Sequence, residues 1–226
     1  MKLFTPRIWA IALAAIGLTL TAQQANAGYI DLTTAGASDE INGAQYIQGS
    51  VGSGTGIFPA FVRVQRNGTE SGYNTIVNNV FNNTSDDTHN HAVLFSDLAV
   101  VSFGGNNYFQ FQLDINEAGG GNEVLSLDRL QVYTSTTPNQ STETVGSLGT
   151  LQYDSGAGNG ALMDFSLASG SGTSDVTVLI PVFTPAAGDL YIYLYSAFGG
   201  VGGNFESSDG FCALIGRCAR INLQAV

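Results

Sequence analysis

Apolar and polar positions alternate with a period of two through most of the chain, and the alternation is sharpest at residues 108–116. There Phe109, Phe111, Leu113 and Ile115 interleave with Tyr108, Gln110, Gln112, Asp114 and Asn116, the pattern of a ribbon with one dry and one wet face. Gly104-Gly105-Asn106-Asn107 stands before it, a run that tolerates positive φ, so residues 97–103 are predicted to form the first arm of a hairpin. At residues 190–197, Leu190, Ile192 and Leu194 fall on one face and Tyr191, Tyr193 and Tyr195 on the other. Further strands are predicted at 41–48, 58–66, 124–133, 149–153, 162–167 and 176–183, with turns at Asn67-Gly68 and Pro185-Ala186-Ala187-Gly188. After residue 27 no segment keeps apolar residues at i, i+3, i+4 and i+7 for three turns. Many short strands between Gly and Asn turns predict an all-β fold, an antiparallel β-sandwich of the jelly-roll kind, with 28–226 as a single domain.

The start of the chain breaks this pattern. Lys2 and Arg7 precede an apolar run at 8–20, and Ala25-Asn26-Ala27 closes a polar stretch, the layout of a secretory signal peptide cleaved after Ala27. The 13 apolar residues are too few to cross a bilayer in a helix, which takes ~20. A leader that is removed, followed by a chain with no stable membrane insertion, is the expected outcome.

Charge then narrows the partners. Two of the seven basic residues leave with the leader, so the processed chain carries five basic and eighteen acidic residues, a net charge of −13, and no lysine. Such a chain repels nucleic-acid backbones and anionic headgroups, whereas divalent cations or neutral sugars suit it.

Four groups of residues can carry chemistry. Asp114, Asn116 and Glu117 close a strand, Gly119-Gly120-Gly121 frees the backbone, and Asp128 follows. Carboxylate and amide oxygens at a strand end feeding a flexible loop are what calcium takes, so a structural Ca2+ site at Asp114, Asn116, Glu117 and Asp128 is one expectation, a solvated acidic hairpin loop the other. Glu206 and Asp209 would join such a site only through the fold. Tyr191, Tyr193 and Tyr195 form a stripe on which sugar rings can stack, as on carbohydrate-binding modules, or an ordinary sheet surface. His89 and His91, the two histidines, would point the same way in an extended segment and suit a transition metal, but clustered Asp, Asn and Thr around them read as a loop. Cys212 and Cys218 form a disulfide in an oxidising compartment or remain two free thiols. Nucleophile elbows, zinc-protease helices and phosphate loops do not occur, so no catalytic residue is assigned and a non-enzymatic protein is expected. Paired carboxylates leave a glycan-active hydrolase as the less favoured alternative.

Several blocks carry a family resemblance. They are Leu113-Asp114-Ile115-Asn116-Glu117, Leu125-Ser126-Leu127-Asp128 leading to Gln131-Val132-Tyr133, Tyr193-Leu194-Tyr195-Ser196-Ala197-Phe198-Gly199, and Ser208-Asp209-Gly210-Phe211. Together they resemble exported bacterial proteins of the PEP-CTERM type, whose sorting tail of Pro-Glu-Pro, apolar helix and basic cluster is read by exosortase. The resemblance implies export through the periplasm of a Gram-negative bacterium and a position at the cell surface or in the exopolysaccharide matrix. It supplies no catalytic residue. After Phe211 the sequence departs from that tail, which leaves a freely secreted relative or an altered gene end as the expectations.

Overall fold

The alternating pattern folds as ribbon after ribbon. A computed structural model of the chain describes residues 28–49, 60–66, 69–83, 88–115, 123–168, 174–200 and 209–213. The predicted leader, the Asn67-Gly68 turn, Asn116, Glu117, Glu206 and Cys218 lie outside these residues. In chain order the described strands are β1 (Tyr29–Leu32), β2 (Ser38–Ile41), β3 (Ala44–Gln48), β4 (Val62–Val64), β5 (Glu70–Tyr73), β6 (Val93–Leu94) and β7 (Val100–Phe103). They continue as β8 (Asn106–Asp114), β9 (Val124–Ser135), β10 (Thr150–Asp154), β11 (Gly160–Asp164), β12 (Val176–Pro181), β13 (Tyr191–Gly200) and β14 (Asp209–Ala213). Among the described residues the only helical elements are three 3-10 turns, Phe95–Asp97, Val145–Ser147 and Phe165–Leu167. No helix among the described residues is long and apolar enough to cross a membrane.

These strands make two sheets. The first has the order β1-β11-β9-β13-β5, with β10 on β9 and β6 on β13. The second has the order β2-β3-β12-β8-β14-β4, with β7 on β8. After β1, β4, β6, β8, β11, β12 and β13 the chain crosses to the opposite sheet, which wraps it round one core. The protein is therefore an all-β sandwich. The pairing departs from the antiparallel expectation once, where β1 runs parallel to β11; no short turn joins these two strands, so none dictates their direction.

Inward positions of both sheets fill the core. Leu125, Leu127, Leu130, Val132, Ile192, Leu194 and Phe198 meet Tyr46, Val62, Val64, Phe109, Phe111, Leu113, Val176 and Val178 across the gap. Two tyrosines bury their hydroxyls there by chaining them, Tyr46 to Tyr153 at 2.9 Å and Tyr153 to the Ile41 carbonyl at 2.9 Å. Leu190, expected on this face, precedes β13 and is 58% exposed.

Turn chemistry corrects two boundaries. The predicted strand at 41–48 is a hairpin, because Asn42 and Gly43 take φ of +48° and +86° and form the two-residue turn that Asn-Gly favours. Gly104 and Gly105, at +57° and +84°, close the predicted hairpin of β7 and β8, but Phe95–Asp97 is a 3-10 turn and the first arm begins only at Val100.

One irregularity positions the functional residues. In β9 the core face is read by Leu125 and Leu127 and then, one step out of phase, by Leu130 and Val132. The register against β13 jumps between Ala197, opposite Arg129, and Phe198, opposite Leu127, so Asp128 is the extra residue of a β-bulge. Bulges of this kind re-aim a side chain.

Candidate functional site

The tyrosine face of β13 is not an open platform. Tyr193 is fully buried, its ring edge-on to Tyr73 at 5.7 Å and 82°. Tyr73, Val80, Tyr133, Leu148 and Tyr193 form a second, smaller core on the outside of the first sheet, with Phe81, Tyr191 and Tyr195 packed partly against it. Residues 74–83 and 136–148 contribute to this cover. Tyrosine hydroxyls pin the second segment: Tyr193 donates to the Thr137 carbonyl at 2.7 Å and accepts from the Gln140 amide at 3.3 Å, and the Tyr73 hydroxyl lies 2.9 Å from the Thr142 carbonyl. Burial pushes the Tyr73 and Tyr193 hydroxyls up to about 12, since loss of hydration disfavours the phenolate. The stripe expected to stack sugars is thus mostly a packing surface, and only its Tyr195 end reaches a depression.

That depression has a volume of about 430 Å3 and is lined by Tyr195, Phe81, Arg66, Glu70, Asp128 and Glu143 among others. The rings of Phe81 and Tyr195 stand 5.6 Å apart at 59°. Phe81 takes φ of +52°, a left-handed conformation that a bulky side chain adopts at a cost of about 1–3 kcal/mol. Its amide donates to Glu143 Oε1 at 3.0 Å, which ties the two covering segments together at the rim. Glu70, 3% exposed, accepts from the Arg66 amide at 2.7 Å.

Asp128 reaches this depression because of the bulge. Its Oδ1 accepts from the Tyr29 hydroxyl at 2.8 Å, and that hydrogen bond, followed by burial, raises the Tyr29 pKa. Gly199 leaves the space: a Cβ there would lie 2.5 Å from Asp128 Oδ2. Carboxylates, an arginine and two aromatic residues at one concavity are the residue types that hold a sugar by its hydroxyls and its C–H face.

Comparison of the chain with protein-family models, with curated proteins and with solved structures finds no match. The geometry therefore carries the functional argument.

The two described calcium candidates, Asp114 and Asp128, do not come together. Asp128 is the bulged residue on the outer surface of the first sheet, whereas Asp114 follows core residue Leu113 at the end of β8 in the second. They belong to different sheets, and Asn116 and Glu117 lie outside the described residues. Among the described residues no three His, Cys, Asp or Glu side chains group as a metal site. His89 and His91 flank a turn, not an extended segment, in which buried Asn90 bonds both the amide and the carbonyl of Arg63, at 2.7 and 3.0 Å. Cys212 pairs in register with Gln112 along β14, and its predicted partner Cys218 lies outside the described residues.

Asp175 was not singled out from sequence. Val176 pairs with Leu113, and the amide of Asp175, one residue before β12, donates to the Leu113 carbonyl at 2.8 Å, which brings Asp175 beside Asp114. It is 2% exposed, its Oδ2 accepts from the Ile115 amide at 2.7 Å, and burial, helped by the Asp114 carboxylate, pushes it up to about 8. Its position after residues 169–173, in a Gly-Ser run with no strand pattern, hid it.

Proposed function

We propose that the chain is an exported, non-enzymatic domain of the cell surface or extracellular matrix that binds polysaccharide in the depression beside Tyr195. The observation that carries this reading is the meeting there of Phe81 and Tyr195 with Asp128, Glu143 and Arg66. An aromatic ring takes the apolar face of a pyranose, while carboxylates accept from its hydroxyls. The leader pattern and the blocks shared with exported PEP-CTERM-type proteins agree with an exopolysaccharide partner. So does the charge of −13 on the processed chain, which disfavours nucleic acid.

Retention of the processed chain in gels containing a panel of neutral, amino and acidic polysaccharides tests the proposal. At least one should retard the wild type, and Tyr195→Ala should migrate as though no polysaccharide were present. Retardation by none of the panel would overturn it. A second reading, a glycan-active hydrolase, is favoured by one feature, the three carboxylates Glu70, Asp128 and Glu143 at one concavity. Release of reducing ends that disappears in Glu143→Gln would replace binding with catalysis.

A further inference from the structure

We propose that the second sheet, at the end where β8 finishes and β12 starts, holds a divalent cation of the calcium type on side-chain oxygens of Gln112, Asp114 and Asp175. This sheet is on the opposite side of the sandwich from the polysaccharide depression, and the two proposals are independent.

The register brings the three together. Leu113 and Val176 are a directly opposed pair; just before it the Asp175 amide donates to the Leu113 carbonyl at 2.8 Å and Asp175 Oδ2 accepts from the Ile115 amide at 2.7 Å, so the Asp175 carboxylate stands beside Asp114. Gln112 shares the face of Asp114, two residues back, and opposes Thr177. Neighbouring carboxylates repel when both are ionised, and with Asp175 2% exposed little water is left to screen them.

The oxygens themselves ask for positive charge. Asp175 uses Oδ2 to accept from the Ile115 amide, but its buried Oδ1 has no hydrogen-bond partner, and neither has the buried Oε1 of Gln112. A buried acceptor left without a donor costs about 1–3 kcal/mol. Thr177, the neighbouring hydroxyl, is spent on the Gly49 carbonyl at 2.9 Å. Arg63 belongs to the same row, since Gly210 pairs with both Asp114 and Arg63, yet it is three strands from Asp175, roughly 14 Å at the usual strand spacing. It can serve Asp114 but not the open oxygen of Asp175.

The donor set chooses the ion. Two carboxylates and an amide, with no nitrogen or sulfur ligand, suit a hard cation, and two carboxylate charges balance a divalent one. Calcium accepts six to eight oxygens in flexible geometry, including main-chain carbonyls, whereas magnesium demands an octahedron and keeps most of its waters. Asp114 was already expected among calcium ligands. Gln112 and Asp175 stand with it where Asp128 was expected.

Equilibrium dialysis of the processed full chain, stripped with chelator and returned to calcium at 0.15 M salt, tests this. About one equivalent should bind, and the melting midpoint should rise by roughly 5–10 °C at a calcium concentration a hundredfold above Kd. Asp175→Asn should lose both effects, and Asp128→Asn should keep both. If Asp175→Asn fails to fold, the wild-type stoichiometry still decides. No bound calcium in the wild type would overturn the proposal and assign the positive charge to a proton on Asp175. Calcium bound equally by a folded Asp175→Asn would overturn it too, as would loss of the ion in Asp128→Asn alone.

Discussion

Replacing Tyr193 and Tyr195 separately by alanine tests the division of the tyrosine stripe into packing and binding. Tyr193→Ala removes a fully buried ring that stands edge-on to Tyr73, a truncation that costs about 3–5 kcal/mol. It also leaves the Thr137 carbonyl and the Gln140 amide without the hydroxyl that joins them, worth about 1 kcal/mol more. At 2–4 °C per kcal/mol for a domain of this size, the midpoint should fall by roughly 10–20 °C. Tyr195→Ala removes a half-buried ring from the rim, for about 1–2 kcal/mol, and should abolish polysaccharide retention while the protein stays folded. The one tryptophan, Trp9, is in the predicted leader, so far- and near-ultraviolet circular dichroism of the tyrosines is the suitable readout for the processed chain. A Tyr193→Ala protein that melts within 2–3 °C of wild type, or equal losses in the two variants, would refute the second core and restore the stripe as a surface.

Three further outcomes follow. Tyr73 and Tyr193 are held up to about 12 chiefly by burial, and Tyr46 and Tyr153 are raised by the same cause; because the native state keeps these protons above the unfolded value of about 10, stability should be intact below pH 10 and fall between pH 10 and 12. Tyrosinate absorbance should therefore rise first for the exposed hydroxyls and again together with loss of the dichroism signal, and one early step with the structure intact would contradict the burial. Gly199→Ala sets a Cβ 2.5 Å from Asp128 Oδ2, an atom that can swing away, so stability should change by only about 1 kcal/mol while retention by polysaccharide falls; unchanged retention would remove Asp128 from the site. Gly149→Ala sets a Cβ 2.0 Å from the Thr134 carbonyl oxygen at φ +149°, where the obstacle is backbone, and should cost several kcal/mol in a denaturant titration.

The alternation at residues 108–116 and 190–197 was enough to read the class and the core, because a sheet with one buried face writes its period directly into side-chain polarity. What it could not express was departure from period two. Asn42-Gly43 looked like two more positions of a strand, although the pair is a turn signal. The phase change from Leu125 and Leu127 to Leu130 and Val132 was present in the sequence, and it is the trace of the bulge that delivers Asp128. β5 and β6 carry too few alternating residues to be seen, being four and two residues long. The tyrosine stripe left two readings open for another reason: two-sided burial of a strand in an outer core gives the same spelling as an amphipathic strand with aromatic rings on its wet face. Asp114 and Asp175 are 61 residues apart in sequence, as the Leu113–Ser174 bond beside them also is, and only strand register makes them neighbours.

The second core and the depression are one construction. An aromatic residue held at φ +52° cannot be maintained by local preference, so the strain at Phe81 has to be offset by contacts that a relaxed backbone would lose. Those contacts are the ring of Tyr73 at 6.0 Å, the ring of Tyr195 at 5.6 Å and the Glu143 carboxylate on the Phe81 amide. Two of the three partners line the depression themselves. Phenylalanine at residue 81 sets a ring against Tyr195 at 59° beside Asp128. The outer core under residues 74–83 and 136–148 backs this rim, and a rim so backed would let the proposed polysaccharide bind without losing the gain to ordering of the loops.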